Sequence, residues 1–145
     1  MPAIEMNGQR LRVVIVGAGF AGLSLAKGLA RAPFEVTLID RHNYHLFQPL
    51  LYQVATAALS PADIAAPIRA ILRGQANATV VLAEVSGIDT ASKHVIADGR
   101  RIPYDIVVLA TGAQHAYFGH DDWAEFPPGL KTVDGGTYLR QRELL

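Results

Sequence analysis

A glycine pattern between two apolar runs restricts the fold of this chain more than any other feature. The first run, Leu11–Val16, is continuous and rich in β-branched residues, which is typical of a strand buried on both faces. The spacing G-x-G-x-x-G follows at once, formed by Gly17, Gly19 and Gly22. Leu23–Arg31 then has a helical composition, and the second run, Phe34–Ile39, ends at Asp40. This order predicts a strand–helix–strand unit of a parallel sheet.

The spacing of the glycines also predicts a dinucleotide site at the turn after the first strand. Gly17 permits a tight turn, Gly19 lets a pyrophosphate approach the backbone, and Gly22 lets the helix pack close to the sheet. The first-turn amides and the helix dipole would stabilise the phosphate charge. The carboxylate of Asp40 would accept hydrogen bonds from a ribose and repel a 2′-phosphate, which disfavours NADP. The spacing leaves FAD and NAD open, and a glycine-rich turn without a ligand is the alternative.

The rest of the chain predicts further strands and helices around this unit. A helix is expected over Pro61–Arg73, and Thr79–Val85 is the third strand candidate. Asp98-Gly99 is a hairpin turn signal, and Ile106–Leu109 is another buried strand. A turn of small residues follows that strand and would let the backbone approach a cofactor: Ala110, Thr111 and Gly112. We therefore predict an α/β fold with a doubly wound, Rossmann-like parallel sheet and an inserted antiparallel β-hairpin or meander. The family resemblance described below implies that this fold is an incomplete FAD/NAD(P)-binding domain.

Composition argues against several other classes of protein. Lys plus Arg is 13 and Asp plus Glu is 13, which disfavours nucleic-acid binding through a basic surface. Cysteine is absent, which removes disulfide scaffolds, thiolate metal sites and dithiol redox centres. Neither a signal peptide nor a transmembrane helix is expected. No metal site is predicted, because the histidines lack ligand spacing: His42, His45, His94, His115 and His120.

Three stretches resemble the N-terminal part of type II NADH dehydrogenase: VVIVGAGFAGLSLAKGLA, VTLIDRHNYHLFQPLLYQVATAALSPADIAAPIR and IPYDIVVLATGAQHAYFGHDDWAEFPPGLKT. That family comprises single-subunit flavoproteins that oxidise NADH and reduce a membrane quinone without pumping protons. The resemblance runs from about Leu11 to the end of the chain. The segments HLFQPLLYQVAT and FGHDDWAEF are more specific for the family than the glycine pattern.

The resemblance implies that FAD is the cofactor, and it assigns residues to parts of FAD. Asp40 and Arg41 would lie at the adenosine ribose, and Val85 would meet the adenine through its backbone. Gln48 and Pro49 would run past the isoalloxazine ring. We assign no catalytic residue. The implied cofactor-binding set is Gly17, Ala18, Gly19, Phe20, Ala21, Gly22, Asp40, Arg41, Gln48, Pro49, Val85, Ala110, Thr111 and Gly112.

The resemblance also implies that this chain is one piece of a longer enzyme. We expect residues 1–10 to form a polar lead-in and 11–145 to form the N-terminal part of an FAD-binding domain, without the NADH domain and the C-terminal membrane helices. The intact enzyme is expected at the cytoplasmic face of the cell membrane, with NADH and quinone as partners and a homodimer left open. The piece itself is expected to be soluble and cytoplasmic, with no membrane or nucleic-acid contact, and inactive alone.

Two other interpretations stay open. One is a catalytically inert dinucleotide-binding fragment. The other is a different FAD-dependent pyridine-nucleotide oxidoreductase without a redox disulfide. Disulfide reductases are excluded within this segment by the absence of cysteine, and short-chain dehydrogenases by the absence of Tyr-x-x-x-Lys.

Overall fold

The computed structural model describes residues 10–113, 118–120 and 129–143. Within them, the strands and helices in chain order are β1 (Leu11–Val16), α1 (Phe20–Gly28), β2 (Phe34–Asp40), β3 (Tyr44–Leu46), a 3-10 helix (Gln48–Leu50), α2 (Leu51–Ala55), α3 (Pro61–Ile64), β4 (Ala65–Pro67), α4 (Ile68–Ile71), β5 (Ala78–Leu82), β6 (Val85–Asp89), β7 (His94–Ala97), β8 (Arg100–Pro103), β9 (Ile106–Leu109) and α5 (Val133–Glu143).

The described residues fall into two compact units. The first contains the residues up to His45 together with Pro67–Gly112, and the second contains Leu46–Ala66 together with the described residues from Ala113 onward. Strands β3 and β4 form a two-stranded sheet. The chain leaves the first unit within β3 and re-enters it within β4. The expected assignment of 11–145 to part of an FAD-binding domain stays a prediction.

A four-stranded parallel sheet in the order β5-β2-β1-β9 forms the centre of the first unit. Helix α1 connects β1 to β2, so the predicted strand–helix–strand unit is confirmed. The helix runs from Phe20 to Gly28, so it begins and ends three residues earlier than the predicted Leu23–Arg31. The strands predicted at Leu11–Val16 and Ile106–Leu109 have these bounds in the structure.

Both faces of β1 are buried, which explains its continuous apolar sequence. Val13 and Ile15 belong to a cluster that includes residues of α1 and α4. Val14 and Val16 belong to a second cluster, formed with residues of the antiparallel sheet β6-β7-β8. The parallel sheet with an inserted antiparallel meander confirms the predicted fold class.

The predicted hairpin turn at Asp98-Gly99 joins β7 to β8. Both residues have positive φ, 46° for Asp98 and 73° for Gly99. This is the conformation of a two-residue type I′ turn, whose twist matches that of the flanking strands. The prediction is confirmed.

The helix expected over Pro61–Arg73 is wrong, because the segment divides into α3, β4 and α4. Pro67 has no N–H to donate and disfavours helical backbone at the residue before it, so one helix cannot run through this position. The start of α3 is well capped: Oγ of Ser60 accepts from the Ala62 amide at 3.3 Å, and Asp63 accepts from the Ser60 amide at 2.8 Å. Likewise, Thr79–Val85 is not one strand, since β5 ends at Leu82 and β6 begins at Val85.

The second unit has its own small core. Leu51 and Val54 of α2 pack with Ile64 of α3. Helix α5 confirms the helical pattern seen from Asp134 onward. Gly136 lets α5 lie close to α2, because a Cβ there would be 3.0 Å from Cδ1 of Leu51.

Candidate dinucleotide-binding site

The glycine turn lies at the carboxyl ends of the parallel strands, where neighbouring segments are joined by backbone hydrogen bonds. The amide of Gly17 donates to the carbonyl oxygen of Ile39 at 2.7 Å, and that of Ala110 donates to Val16 at 2.8 Å. The amide of Ala83 donates to Asp40 at 3.0 Å. The ends of β1, β2, β5 and β9 therefore meet at one edge of the sheet, where α/β proteins of this type bind ligands.

Two of the three motif glycines are required by contacts within the protein. Gly17 has a φ of +101°, and a Cβ on it would overlap the carbonyl oxygen of Ala110. A Cβ on Gly22 would overlap the carbonyl oxygen of Gly17 and lie 3.3 Å from the Cβ of Ala110. These contacts confirm the tight turn and the close helix packing that the spacing predicts, and they bring the turn after β9 against the glycine turn.

Gly19 differs, because nothing in the described structure requires a glycine there. Its φ is −67°, which every residue adopts, and a Cβ on it would meet no heavy atom within 4 Å. The open space lies at the first position before α1, where no side chain caps the helix and the first turn holds no acidic residue. Gly19, Phe20 and Ala21 are exposed. An unfilled space at an uncapped helix N-terminus fits a phosphate group, which the helix dipole and first-turn amides would stabilise.

The carboxylate of Asp40 bonds to the glycine turn itself. Oδ2 accepts from the amide of Ala18 at 2.6 Å, and Oδ1 accepts from the amide of His42 at 2.8 Å. The side chain is 17% exposed. Because each carboxylate oxygen accepts more than one hydrogen bond, Asp40 keeps capacity for a ribose hydroxyl. Arg41, beside it, is exposed.

The small-residue turn after β9 continues this edge of the sheet. Ala110 contacts the glycine turn as described, and Thr111 and Gly112 are exposed. Gly112 has a φ of +72°, so a glycine is favoured there by the backbone conformation alone. The structure thus brings this turn beside the glycine turn, and its contact with a cofactor stays a prediction.

The remaining residues of the predicted set are Val85, Gln48 and Pro49. Val85 begins β6, where it pairs with Ala97 of β7, and its side chain packs on the cluster that contains Val14. Its backbone contact with adenine stays a prediction. Gln48 and Pro49 lie in the 3-10 helix of the second unit and are exposed. Their role beside a flavin ring also stays a prediction.

Sequence reasoning missed one side chain at the glycine turn. Nδ1 of His45 lies 3.0 Å from the carbonyl oxygen of Ala18, and its ring meets that of Phe20 edge-on, with centroids 5.1 Å apart. No local pattern marks His45 for this role, because the contact joins residues 27 apart in the sequence.

The described residues contain no cluster of three His, Cys, Asp or Glu side chains that could hold a metal ion. His115, and Asp121 and Asp122 that follow His120, lie outside the described residues. Over the same described ranges, no helix has both the length and the apolar character needed to cross a bilayer.

The parallel sheet and the glycine turn at its carboxyl edge define a Rossmann-like fold, and comparison with known proteins gives the family. The model of the pyridine nucleotide-disulphide oxidoreductase family matches residues 11–144, so the chain belongs to this family. Its 145 residues contain no cysteine, so they hold no redox disulphide of the kind in the family's name.

The resemblance to type II NADH dehydrogenase is confirmed by a curated relative. The chain is 51% identical over 141 residues to the type II NADH:quinone oxidoreductase NdhA of Mycobacterium tuberculosis, with 94% of this chain aligned. It spans only 30% of that relative's length.

Two solved structures show the same fold. NDH2 from Plasmodium falciparum, in complex with NADH, superposes with a TM-score of 0.80 at 22% identity, over 92% of this chain and 29% of that one. The sulfide:quinone oxidoreductase of Aquifex aeolicus superposes with a TM-score of 0.83 at 24% identity, over 92% and 32%. At these identities the likeness concerns the fold alone.

Proposed function

We propose that this chain is the FAD-binding part of a flavoprotein that passes electrons from NADH through FAD to a membrane quinone. The observation that carries the proposal is the open space at Gly19, beside the uncapped start of α1. It occurs in a chain that is 51% identical to part of a type II NADH:quinone oxidoreductase.

In this proposal each residue of the turn binds or orients FAD. The amides at the start of α1 bind the pyrophosphate, and Gly19 keeps the approach open. Asp40 accepts from the adenosine ribose, with Arg41 beside it. The turn from Ala110 to Gly112 lies along the cofactor, and Val85 meets the adenine.

Bound FAD would supply the two-electron chemistry that links NADH oxidation to quinone reduction, while the protein positions and tunes it. Gln48 and Pro49, which carry no formal charge, are proposed to lie along the isoalloxazine ring. The intact enzyme is proposed to act at the cytoplasmic face of the membrane.

A second candidate is a dinucleotide-binding chain without catalytic activity of its own. What supports it is that the glycine turn lies within the 30% of the M. tuberculosis relative that this chain spans. The two candidates make the same prediction for FAD binding and different ones for turnover.

FAD binding is tested by titrating the chain with FAD and following the quenching of flavin fluorescence. We expect saturable binding that Gly19→Val abolishes, because the added side chain fills the open space. Gly28→Val is the matched control: Gly28 lies at the other end of α1, and a Cβ there also meets nothing within 4 Å. Binding of NAD but not FAD would overturn the cofactor assignment.

Turnover is tested by grafting the chain in place of the matching segment of the M. tuberculosis relative. We expect the chimera to retain FAD and to oxidise NADH with a soluble quinone, and Gly19→Val to remove both properties. A chimera that retains FAD but passes no electrons to quinone would favour the second candidate.

A further inference from the structure

The main chain of Ala18 is held on both sides by side chains from further along the sequence. Its amide donates to Oδ2 of Asp40 at 2.6 Å, and its carbonyl oxygen lies 3.0 Å from Nδ1 of His45. Because a carbonyl oxygen only accepts, Nδ1 of His45 must carry the proton of this hydrogen bond. Ala18 is 2% exposed, so water competes little for these groups.

The orientation of the peptide group between Ala18 and Gly19 matters for phosphate binding, because this group carries the N–H of Gly19. Glycine adopts positive and negative φ about equally well, so Gly19 lets this peptide group rotate at little steric cost. A trans peptide holds its C=O and the following N–H in opposite directions. Rotation would therefore replace the N–H of Gly19 with a carbonyl oxygen, and an oxygen would repel the phosphate that an amide binds.

We propose that His45 is a positioning residue for phosphate binding. Its hydrogen bond to the Ala18 carbonyl keeps the N–H of Gly19 turned away from His45 and available to a phosphate. Without this hydrogen bond, Gly19 would allow the peptide group between Ala18 and Gly19 to flip. The hydrogen bond from His45 restricts that rotation. This inference rests on the proposed function, because it explains how the same turn binds the FAD pyrophosphate.

Phe20 supports the orientation of the His45 ring. The two rings meet at an interplanar angle of 86° with centroids 5.1 Å apart, an edge-to-face arrangement that restricts rotation of the imidazole. Phe20 is the first residue of α1, so the ring contact also joins His45 to the start of the helix.

The first test needs neither FAD nor a variant. Long-range ¹H–¹⁵N spectra of the labelled chain report which imidazole nitrogen carries the proton, recorded at about pH 8, above the ordinary pKa of histidine. We expect His45 to be the Nδ1–H tautomer. A proton on Nε2 alone would overturn the proposal, because the hydrogen bond to Ala18 could not then form.

The second test compares His45→Leu with His45→Asn, whose side-chain amide offers a donor near the position of Nδ1. His45→Leu is expected to broaden or split the Gly19 amide signal and to weaken FAD binding about tenfold, the value of one hydrogen bond. His45→Asn is expected to restore a single Gly19 signal and most of the affinity. A merely structural role would not be rescued in this way.

His94→Leu is the matched control, since Nδ1 of His94 also bonds to a backbone carbonyl oxygen, that of Ser92 at 2.6 Å, in the turn before β7. It should leave the Gly19 signal and FAD affinity unchanged. If His45→Leu keeps both at the wild-type values, the proposal is wrong. If the wild-type chain binds no FAD, the proposed function fails, while the tautomer and the Gly19 signal still decide whether His45 holds the turn.

Discussion

Asp105 accepts three hydrogen bonds from Arg12, and together these residues join the start of β9 to the start of β1. The backbone amide of Arg12 donates to Oδ2 at 2.8 Å, and its guanidinium donates to Oδ2 at 3.1 Å and to Oδ1 at 3.0 Å. The side-chain bond lowers the pKa of Asp105 to about 2, with a further contribution from the backbone bond. The pair lies at the opposite end of the strands from the glycine turn, so its role is in stability.

The Arg12–Asp105 pair predicts a defined pH dependence. A carboxylate whose pKa is lower in the folded than in the unfolded chain stabilises the fold above the unfolded value, near 4, and this contribution is lost as the pH falls towards 2. Asp105→Asn should therefore reduce the free energy of unfolding by about 1 kcal/mol at neutral pH, a modest value because the pair is partly exposed. The difference between variant and wild type should shrink below about pH 4 and be lost as the pH falls through about 2.

Urea unfolding at a series of pH values measures this difference. Glu84→Gln, a change at an exposed carboxylate, is the control and should leave the profile unchanged. Some acid sensitivity should persist in Asp105→Asn, because hydrogen bonds from Ser92 lower the pKa of Asp89 to about 2. A difference that stays constant from neutral pH down to pH 2 would contradict the assignment.

The side chain of Asn77 should stabilise the segment that follows α1. Its side-chain amide donates to the carbonyl oxygens of Leu29, Ala32 and Phe34, at 2.9, 3.2 and 3.1 Å. Asn77→Ala leaves these oxygens without that donor and should cost about 2 kcal/mol. Asn77→Asp should cost more, because a carboxylate only accepts and would face three acceptors.

Thermal unfolding of both variants tests the Asn77 prediction. Asn43→Ala serves as the control, since Asn43 is exposed. Equal melting temperatures for Asn77→Asp and Asn77→Ala would show that the donor groups do not matter.

Alanine substitutions at two of the motif glycines, Gly22 and Gly19, should affect stability and FAD binding differently. Gly22→Ala should destabilise the chain by about 3 kcal/mol or more, because its Cβ would overlap the Gly17 carbonyl. Gly19→Ala should leave the stability of the chain unchanged, because its Cβ meets nothing within 4 Å, while FAD binding should weaken. Unfolding curves and FAD titrations of the two variants measure both quantities. Equal loss of stability in both would be inconsistent with the structure.

Asp40→Asn should loosen the glycine turn even without a ligand. The wild-type carboxylate accepts from two backbone amides, those of Ala18 and His42. An asparagine offers one oxygen and places an NH₂ group against the other amide, so we expect a loss of about 2 kcal/mol. Hydrogen exchange of the Ala18 amide should accelerate in the ligand-free chain. Glu35→Gln, at an exposed position of the same strand, is the control. Unchanged exchange at Ala18 would indicate that Asp40 acts only on a ligand.

Much of the fold follows from local sequence patterns. The bounds of β1 and β9, the helix between β1 and β2 and the turn at Asp98-Gly99 depend on side chains close in sequence. The helix expected over Pro61–Arg73 is wrong because the signals at Ser60 and Pro61 mark only where a helix begins. Pro67, which lacks the N–H that a continuous helix needs, interrupts it.

The sequence by itself determined that this chain forms a parallel sheet with a glycine turn at its carboxyl edge, and it indicated the family. Only the tertiary structure decided what each residue of the turn does. It showed that Gly17 and Gly22 are required by protein contacts, that Gly19 leaves open space, and that His45 bonds to Ala18. These roles depend on atoms that packing brings together from distant parts of the chain, and a local pattern of residue types does not record such distances.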